Sequence, residues 1–419
     1  MADTNFATLL SRLANAVLPN KEIGYEGYES SALHEILWAK RKQGAGSTMD
    51  LLYNKGWAGN AENIAALGTG DGFTVDTTIN PRQSRRLQFA FTEIAVPVLI
   101  NNVEAKKVSG PNALVNYMKE QLREPVQDLI QLLAYDEIAG TGSNQKIVGI
   151  DTICEYSENS STLGGIDRDS APALNGNVWD GSDVEGSTYN TGTLTATRGS
   201  MTLTGSGSTW VAASHSGKDI VITDSDSNQH IFQIIQRDSN TSVLINKQYD
   251  GATTAGLSYV IQSRFNDADL YGAASEFDLE KTDAVWASTL NGGEAPDLVV
   301  CNTRMFQKFV SEIGHNEQST TKEAMMRLGI TGKYTGIMYN DMVIVPDNHV
   351  TSSTIYFVPT SHLELMHVPG YGDIKLAGDQ LNRVTDGTYH DASVGSLVLS
   401  LAMGTRAANR FGKLIGLNY

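Results

Sequence analysis

The chain has 419 residues, a formal net charge of −16, and 41% hydrophobic against 19% charged residues. That balance excludes a disordered polymer, and an acidic chain without a dense Lys/Arg run argues against a grip on nucleic acid or an anionic membrane. The length allows two or three domains, and 40 Gly against 10 Pro point to many turns and a β-rich content.

Cys154 and Cys301 lie far apart in apolar stretches and read as buried, reduced thiols. The first residues lack the basic and apolar regions of a secretory signal, and no run approaches the roughly 18 apolar residues of a membrane span. The expectation is a chain folded in a reducing cytoplasm without disulfide staples and with no membrane partner.

Residues 5–18 place Phe6, Leu9, Leu10, Leu13 and Val17 at helical spacing, ended by Pro19. A second helix is expected over residues 30–43, with cations at its C-terminal end to suit the helix dipole. Both are too short to build a core alone and should lie against something else. Residues 45–85 are polar and glycine-rich, and a structureless stretch of that length is uncommon inside a compact domain. It reads as a projecting hairpin that contains Trp57 and ends in the cluster Arg82, Arg85 and, one residue beyond, Arg86.

The returning strand keeps its odd positions apolar through Leu87, Phe89 and Phe91, then its even positions from Ile94 to Ile100. The change of face predicts a bulge or twist near Thr92-Glu93, and Pro97 predicts an edge strand. A helix is predicted over residues 111–139. Leu114, Met118, Leu122, Val126, Leu129 and Leu133 form one stripe along it, Pro111 suits its first position, and Pro125 should kink it. Gly140-Thr-Gly142 closes that helix.

From residue 186 to 262, Thr, Ser, Gly and Asn separate short β runs, which predicts an inserted barrel or sandwich. An α/β texture follows. Asp278 caps one helix, Asn302 or Thr303 caps another, and residues 297–301 form a buried strand. Residues 394–403 are almost continuously apolar and suit a central strand covered on both faces.

Little chemistry is legible. His362 and His367 are five apart, which is not a zinc spacing, and Asp224-Ser-Asp-Ser-Asn228 lacks the Gly and Glu of a calcium loop and reads as a hairpin turn. Gly68-Thr-Gly-Asp-Gly72 matches neither a dinucleotide fingerprint nor a phosphate loop. No catalytic residue, cofactor or metal is expected. The arginine cluster reads either as a solvated loop face or as a charged contact with an acidic neighbouring copy.

The order of these parts resembles the major capsid proteins of tailed double-stranded-DNA bacteriophages. The residues that carry it are Val96-Pro-Val98 with Asn101-Asn102 leading into the long helix, and Gly140-Thr-Gly-Ser143 followed by Ile147-Val-Gly-Ile150. Gly164-Gly-Ile-Asp-Arg168 with Trp179, Pro296-Asp-Leu-Val-Val300 and Tyr339-Asn-Asp-Met-Val-Ile-Val-Pro346 complete it.

The resemblance implies an α+β fold of the HK-ninety-seven type. Its parts would be an N-terminal arm (1–50), an extended loop (51–96) and a peripheral domain (97–185) with the spine helix at 111–139. A small all-β insertion (186–262), a mostly axial segment (263–360) and a return to the peripheral domain (361–419) would follow. It further implies a non-enzymatic, self-assembling subunit of the icosahedral capsid in the virion. Hexamers and pentamers would build the shell in the host cytoplasm, enclosing DNA without specific binding. A separate scaffold, a portal and decoration proteins would be partners. Subunit-interface residues would be Trp57, Arg82, Arg85, Arg86, Phe89 and Phe91. The alternative is a fibre or glycan-binding adhesin built around the β insert, with Trp210 and Tyr249 as its exposed aromatics.

Overall fold

A computed structural model describes residues 3–18, 31–44, 46–54, 84–108, 111–143, 146–182, 188–211, 215–224, 226–265, 275–290, 295–313, 336–369, 373–379, 381–384 and 391–418. The main body is built around the spine helix α3 (Pro111–Ala139) and a 14-residue strand, β4 (Ala392–Thr405).

Helix α3 has the predicted bounds and runs on through Pro125 as one element. Met118, Leu122, Val126, Leu129 and Leu133 are buried along its predicted stripe, with Leu114 half-buried. At ~1.5 Å per residue it is roughly 43 Å long. The two shorter helices lie on it, as expected of elements without a core of their own. Helix α1 (Asp3–Val17) buries Leu10 and Ala14. Helix α2 (Ala32–Lys40) is capped by Ser31, whose hydroxyl accepts from the His34 N–H. It buries Ala32, Leu33, His34, Ile36 and Leu37, so this part of the expected arm belongs to the main core.

The C-terminal end of α3 turns back in very little space. A Cβ at Gly140 would stand 2.1 Å from the Ile147 oxygen, and one at Gly149 would stand 2.5 Å from the Gly140 nitrogen. The two glycines let the chain recross itself, with Gly149 N–H donating to Gly140 O at 2.8 Å.

Strand β4 is the hub of a six-stranded sheet. One of its edges carries strand β3 (Thr92–Asn101) in unbroken antiparallel register, from Asn101 opposite Ala392 to Thr92 opposite Leu401. Its other edge is shared by the strands Leu363–His367, Lys375–Leu376 and Asn382–Val384. Among the described residues β4 is the one strand paired with β3, so Pro97 sits on an edge strand, opposite Ser396. The change of face predicted near residue 92 falls where β2 (Ser84–Ala90) gives way to β3 at Phe91. Strand β1 (Thr48–Asn54) pairs antiparallel with β2 over seven residues, and the rest of the expected hairpin, residues 55–83, lies outside the described residues.

A second six-stranded sheet centres on Leu298–Cys301 and Ile355–Val358. Leu298 and Val300 face the main core, while Val299 and Cys301 face a separate core under helices Leu279–Thr289 and Thr303–Ile313. Both faces being covered explains the uninterrupted apolar sequence. Asp278 caps the first helix through the Glu280 N–H, and Asn302 accepts from the Arg304 N–H at the start of the second.

Between Thr193 and Gln262 six strands close into a barrel with its own core, including Leu203, Ile220, Ile234, Val243 and Ile261. Asp224 to Asn228 form the predicted hairpin turn, the Asp224 carboxylate accepting from the Asp226 and Asn228 N–H groups.

A Gly140→Ala substitution should lower stability by about 3 kcal/mol, because the methyl group meets backbone oxygen on two sides. Ser143→Ala, exposed just beyond it, should stay within ~0.5 kcal/mol. Urea unfolding followed by circular dichroism measures both.

Candidate functional site

The hairpin β1–β2 has one face committed to its own chain. Met49, Leu51, Leu87 and Phe89 are buried. A Cβ at Gly404 would lie 2.5 Å from the Phe89 ring and 2.7 Å from the Met49 methyl, and one at Gly164 would lie 3.0 Å from Leu87. Phe91 is half-buried over Gly44, where a Cβ would meet its ring at 2.6 Å. Within the single chain Phe89, expected at a subunit interface, is a buried packing residue, while Phe91, expected there too, keeps part of its surface open. Sequence alternation marked them as one face but could not say that a glycine on a distant strand receives it.

The other face looks outward. It presents Asp50, Leu52, Arg86 and Gln88, with Leu52 directly opposite Arg86. Leu52 is 61% exposed, high for a leucine in a paired strand. Thr48 Oγ1 donates to Asp50 Oδ1 at 2.9 Å, while Arg86 reaches Asp50 only at 3.7 Å and is largely exposed. Arg85 lies opposite Tyr53 in the register, and its side chain is outside the described residues. Trp57 and Arg82 also fall outside them. Leu52 was not among the expected interface residues; its signal was the Met49/Leu51 against Asp50/Leu52 alternation.

Polar groups elsewhere are engaged in holding parts together. Arg168 is fully buried, and its guanidinium donates to the carbonyl oxygens of Glu155, Leu174 (2.5 Å) and Thr152 (2.7 Å). Burial pushes it down to about 10, with Glu155 opposing. Lys413 bridges Asp151 (2.6 Å) and Glu155 (2.7 Å), and the Tyr356 hydroxyl donates to Asp151 at 2.6 Å. Burial drives both thiols, Cys154 and Cys301, far above their ordinary range, which removes them as nucleophiles. Among the described residues no group of three or more His, Cys, Asp or Glu side chains could hold a metal ion, and no helix is long and apolar enough to cross a membrane.

The barrel joins the body through Tyr156, Val178, Ile235 and Leu244, with Gln233 Nε2 donating to Val178 O at 2.5 Å. Arg264, at the end of the last barrel strand, pairs with Asp219 at 3.0 Å and lies 4.9 Å over the Trp179 ring. Trp210 and Tyr249 are inside the barrel, 0% and 1% exposed. Trp210 Nε1 donates to the Tyr259 hydroxyl at 3.0 Å. The two aromatics on which the adhesin reading depended are core residues, which removes its support.

No protein-family model and no curated protein matches the chain. Among solved structures it is similar to the capsid asymmetric unit of cyanophage A-1(L), with 9% identity and a TM-score of 0.53 over 93% of this chain and 94% of that one. It is also similar to a Mycobacterium phage Bobi structure (10% identity, TM-score 0.44, 91% and 89%) and to the capsid of an empty GTA particle (10%, 0.44, 93% and 90%). The likeness to the cyanophage subunit gives the fold: it is the α+β, HK-ninety-seven type expected from the sequence.

Asp219 makes the barrel joint sensitive to pH. Burial raises its carboxyl from 3.8 to about 6, against the opposing pull of Arg264. A raised carboxyl contributes stability that is full below its ordinary value and is lost as pH rises through about 6. The stability difference between the wild-type chain and Asp219→Asn should therefore shift by up to about 3 kcal/mol in favour of the variant between pH ~4 and ~7. Urea titrations of both chains at the two pH values measure it.

Proposed function

We propose that this chain is the shell-forming subunit of a tailed-phage capsid. Copies assemble through hexamers and pentamers into an icosahedral shell that encloses double-stranded DNA in the virion. The observation that carries this reading is the correspondence of fold, over nearly the whole of both chains, with a subunit that occupies a capsid asymmetric unit. The hairpin supports it: one face is locked onto the body while the other leaves Leu52 and Arg86 to solvent in a single copy. An exposed strand pair of this kind is a hazard in a monomer and an interface in an assembly.

The role is structural rather than catalytic, with the buried cations holding carbonyl groups and the thiols protonated. The net charge of −16 keeps the wall from gripping the DNA it encloses. A separate scaffold, a portal and decoration proteins complete the assembly. Residues 186–262 are an insertion on this plan, with a core separate from that of the body.

Electron microscopy of the chain co-expressed with its scaffold should give closed shells of uniform size. A monodisperse monomer or trimer at every salt and crowding condition would overturn the reading. Removing residues 60–80 should leave a soluble, folded monomer that forms no shells, and particles from that variant would overturn the role given to the loop. Excising residues 190–262 should leave the body with a cooperative unfolding transition, whereas global unfolding would place the barrel in the main core.

A further inference from the structure

We infer that residues 246–253 form a proton-operated lid over one end of the barrel, held shut by a protonated His230 that bridges Asp224 of the barrel wall and Asp250 of the lid.

The topology makes this segment a crossing. It joins the strands Ser242–Ile245 and Thr254–Gln262, which are not neighbours in the barrel: Thr193–Ala196 and Thr202–Ser206 lie between them. It runs at the end of the barrel that carries the connections 197–201 and 224–228, and Tyr249 at its centre is buried in the barrel core. On one side the lid is fixed by backbone. Tyr249 N–H donates to Ser200 O at 2.9 Å, and Gly199 N–H donates to Tyr249 O at 2.8 Å.

On the other side it is held by His230. This residue stands opposite Ile222, a core residue, so its imidazole points toward the barrel interior, with its centre 5.4 Å from that of the Tyr249 ring. Nδ1 faces Asp250 Oδ1 at 2.8 Å, and Nε2 faces Asp224 Oδ2 at 3.3 Å. A neutral imidazole has one N–H and one lone pair, so it can donate to one carboxylate only and turns its lone pair on the other. The imidazolium donates to both. Asp224 keeps its charge: burial raises it, but hydrogen bonds from Asn228, His230 and the Asp226 N–H outweigh that and hold it below its ordinary range. Asp250 is 75% exposed. The third group facing the ring, the Tyr249 phenol, is raised by burial and by Asp224 and Asp250, and stays protonated.

The proton is therefore bound more tightly when the lid is shut than when the ring meets water. The closing force is full at acid pH and is lost as pH rises through the imidazole range, about 5 to 8. The shut lid also carries a cost. The Tyr249 hydroxyl is buried and finds no hydrogen-bond partner among the described residues, whereas opening gives it water. Gly251 lies against it, where a Cβ would meet the hydroxyl at 2.4 Å. A lid that loses one set of bonds on opening and gains another is poised rather than locked.

Hydrogen exchange of the whole chain, followed by mass spectrometry at pH ~5 and ~8 and corrected for intrinsic rates, tests this. Peptides covering residues 246–253 should exchange about tenfold faster at the higher pH, the ~1.4 kcal/mol of one decade. With Asp250→Asn, an exposed change, or with His230→Gln, most of that difference should vanish. Both variants keep the Asp219 joint, so the comparison removes any pH effect that arises there. A parent chain with equal corrected rates at the two pH values, or either variant keeping the tenfold difference, would overturn the lid. Tyr249→Phe should slow lid exchange at both pH values, and faster exchange would overturn the part given to the hydroxyl.

Discussion

The body of this protein depends on the complete burial of one long strand. From Leu397 to Thr405, β4 is buried at every position, with β3 along one edge as far as Leu401 and other strands of the sheet along the opposite edge. One edge takes β3 in unbroken register; the other is divided among three short strands. Such a strand cannot shift by one residue without turning its whole apolar set over, so it fixes the register of everything attached to it. The hairpin inherits its position from this strand, because Phe89 and Met49 sit on the bare backbone of Gly404. The outward face of the hairpin is therefore aimed by a residue more than 300 positions away in sequence.

The same body is joined by buried polar groups that bind backbone or one another. Arg168 gathers three carbonyl groups from segments that share no sheet. Lys281, fully buried, donates to Glu276 O at 2.7 Å and Gly181 O at 3.3 Å, and burial lowers its amine. His34 on α2 meets both oxygens of Glu137 on α3, at 2.9 and 3.1 Å, with neither side chain exposed. Burying a charge is costly unless it is paired or bonded, so such groups add little net stability over an apolar replacement. Their geometry is more demanding than that of apolar contact, and they sit where separate segments meet: helix to helix, and loop to sheet.

The periodic parts of the fold were legible in the sequence. The α3 stripe, the caps at Asp278 and Asn302, the edge character of β3 and the succession of short barrel strands each follow from local spacing or local hydrogen bonding. What could not be read was which surface meets which. Alternation put Phe89 on one face of a strand, but the glycine that receives it lies on another element. Trp210 and Tyr249 stand among Thr, Ser and Asn, and only closure of the barrel makes those positions interior. Arg168 sits in a short polar motif that gives no sign of full burial; its partners are carbonyl groups, which carry no sequence signal. Of the expected interface residues, Arg86 alone was found both described and exposed, beside a leucine that the pattern had not singled out.

A barrel with its own core explains how one chain can carry two kinds of surface. Tyr189 N–H and the Ile261 carbonyl bond at 2.8 Å, so the chain enters and leaves the barrel at nearly the same place. The body then sees the barrel as a short closed loop, and the entropy of such a loop depends on the closeness of its ends far more than on its contents. The joint itself is modest: four apolar side chains, a few hydrogen bonds, and Arg264 between Asp219 and Trp179. Change in the barrel exterior is thereby decoupled from the register set by β4. The hairpin and the spine helix belong to the body, where that constraint is strict. The barrel, with a core of its own, is held apart from that constraint and can vary without disturbing the register of the body.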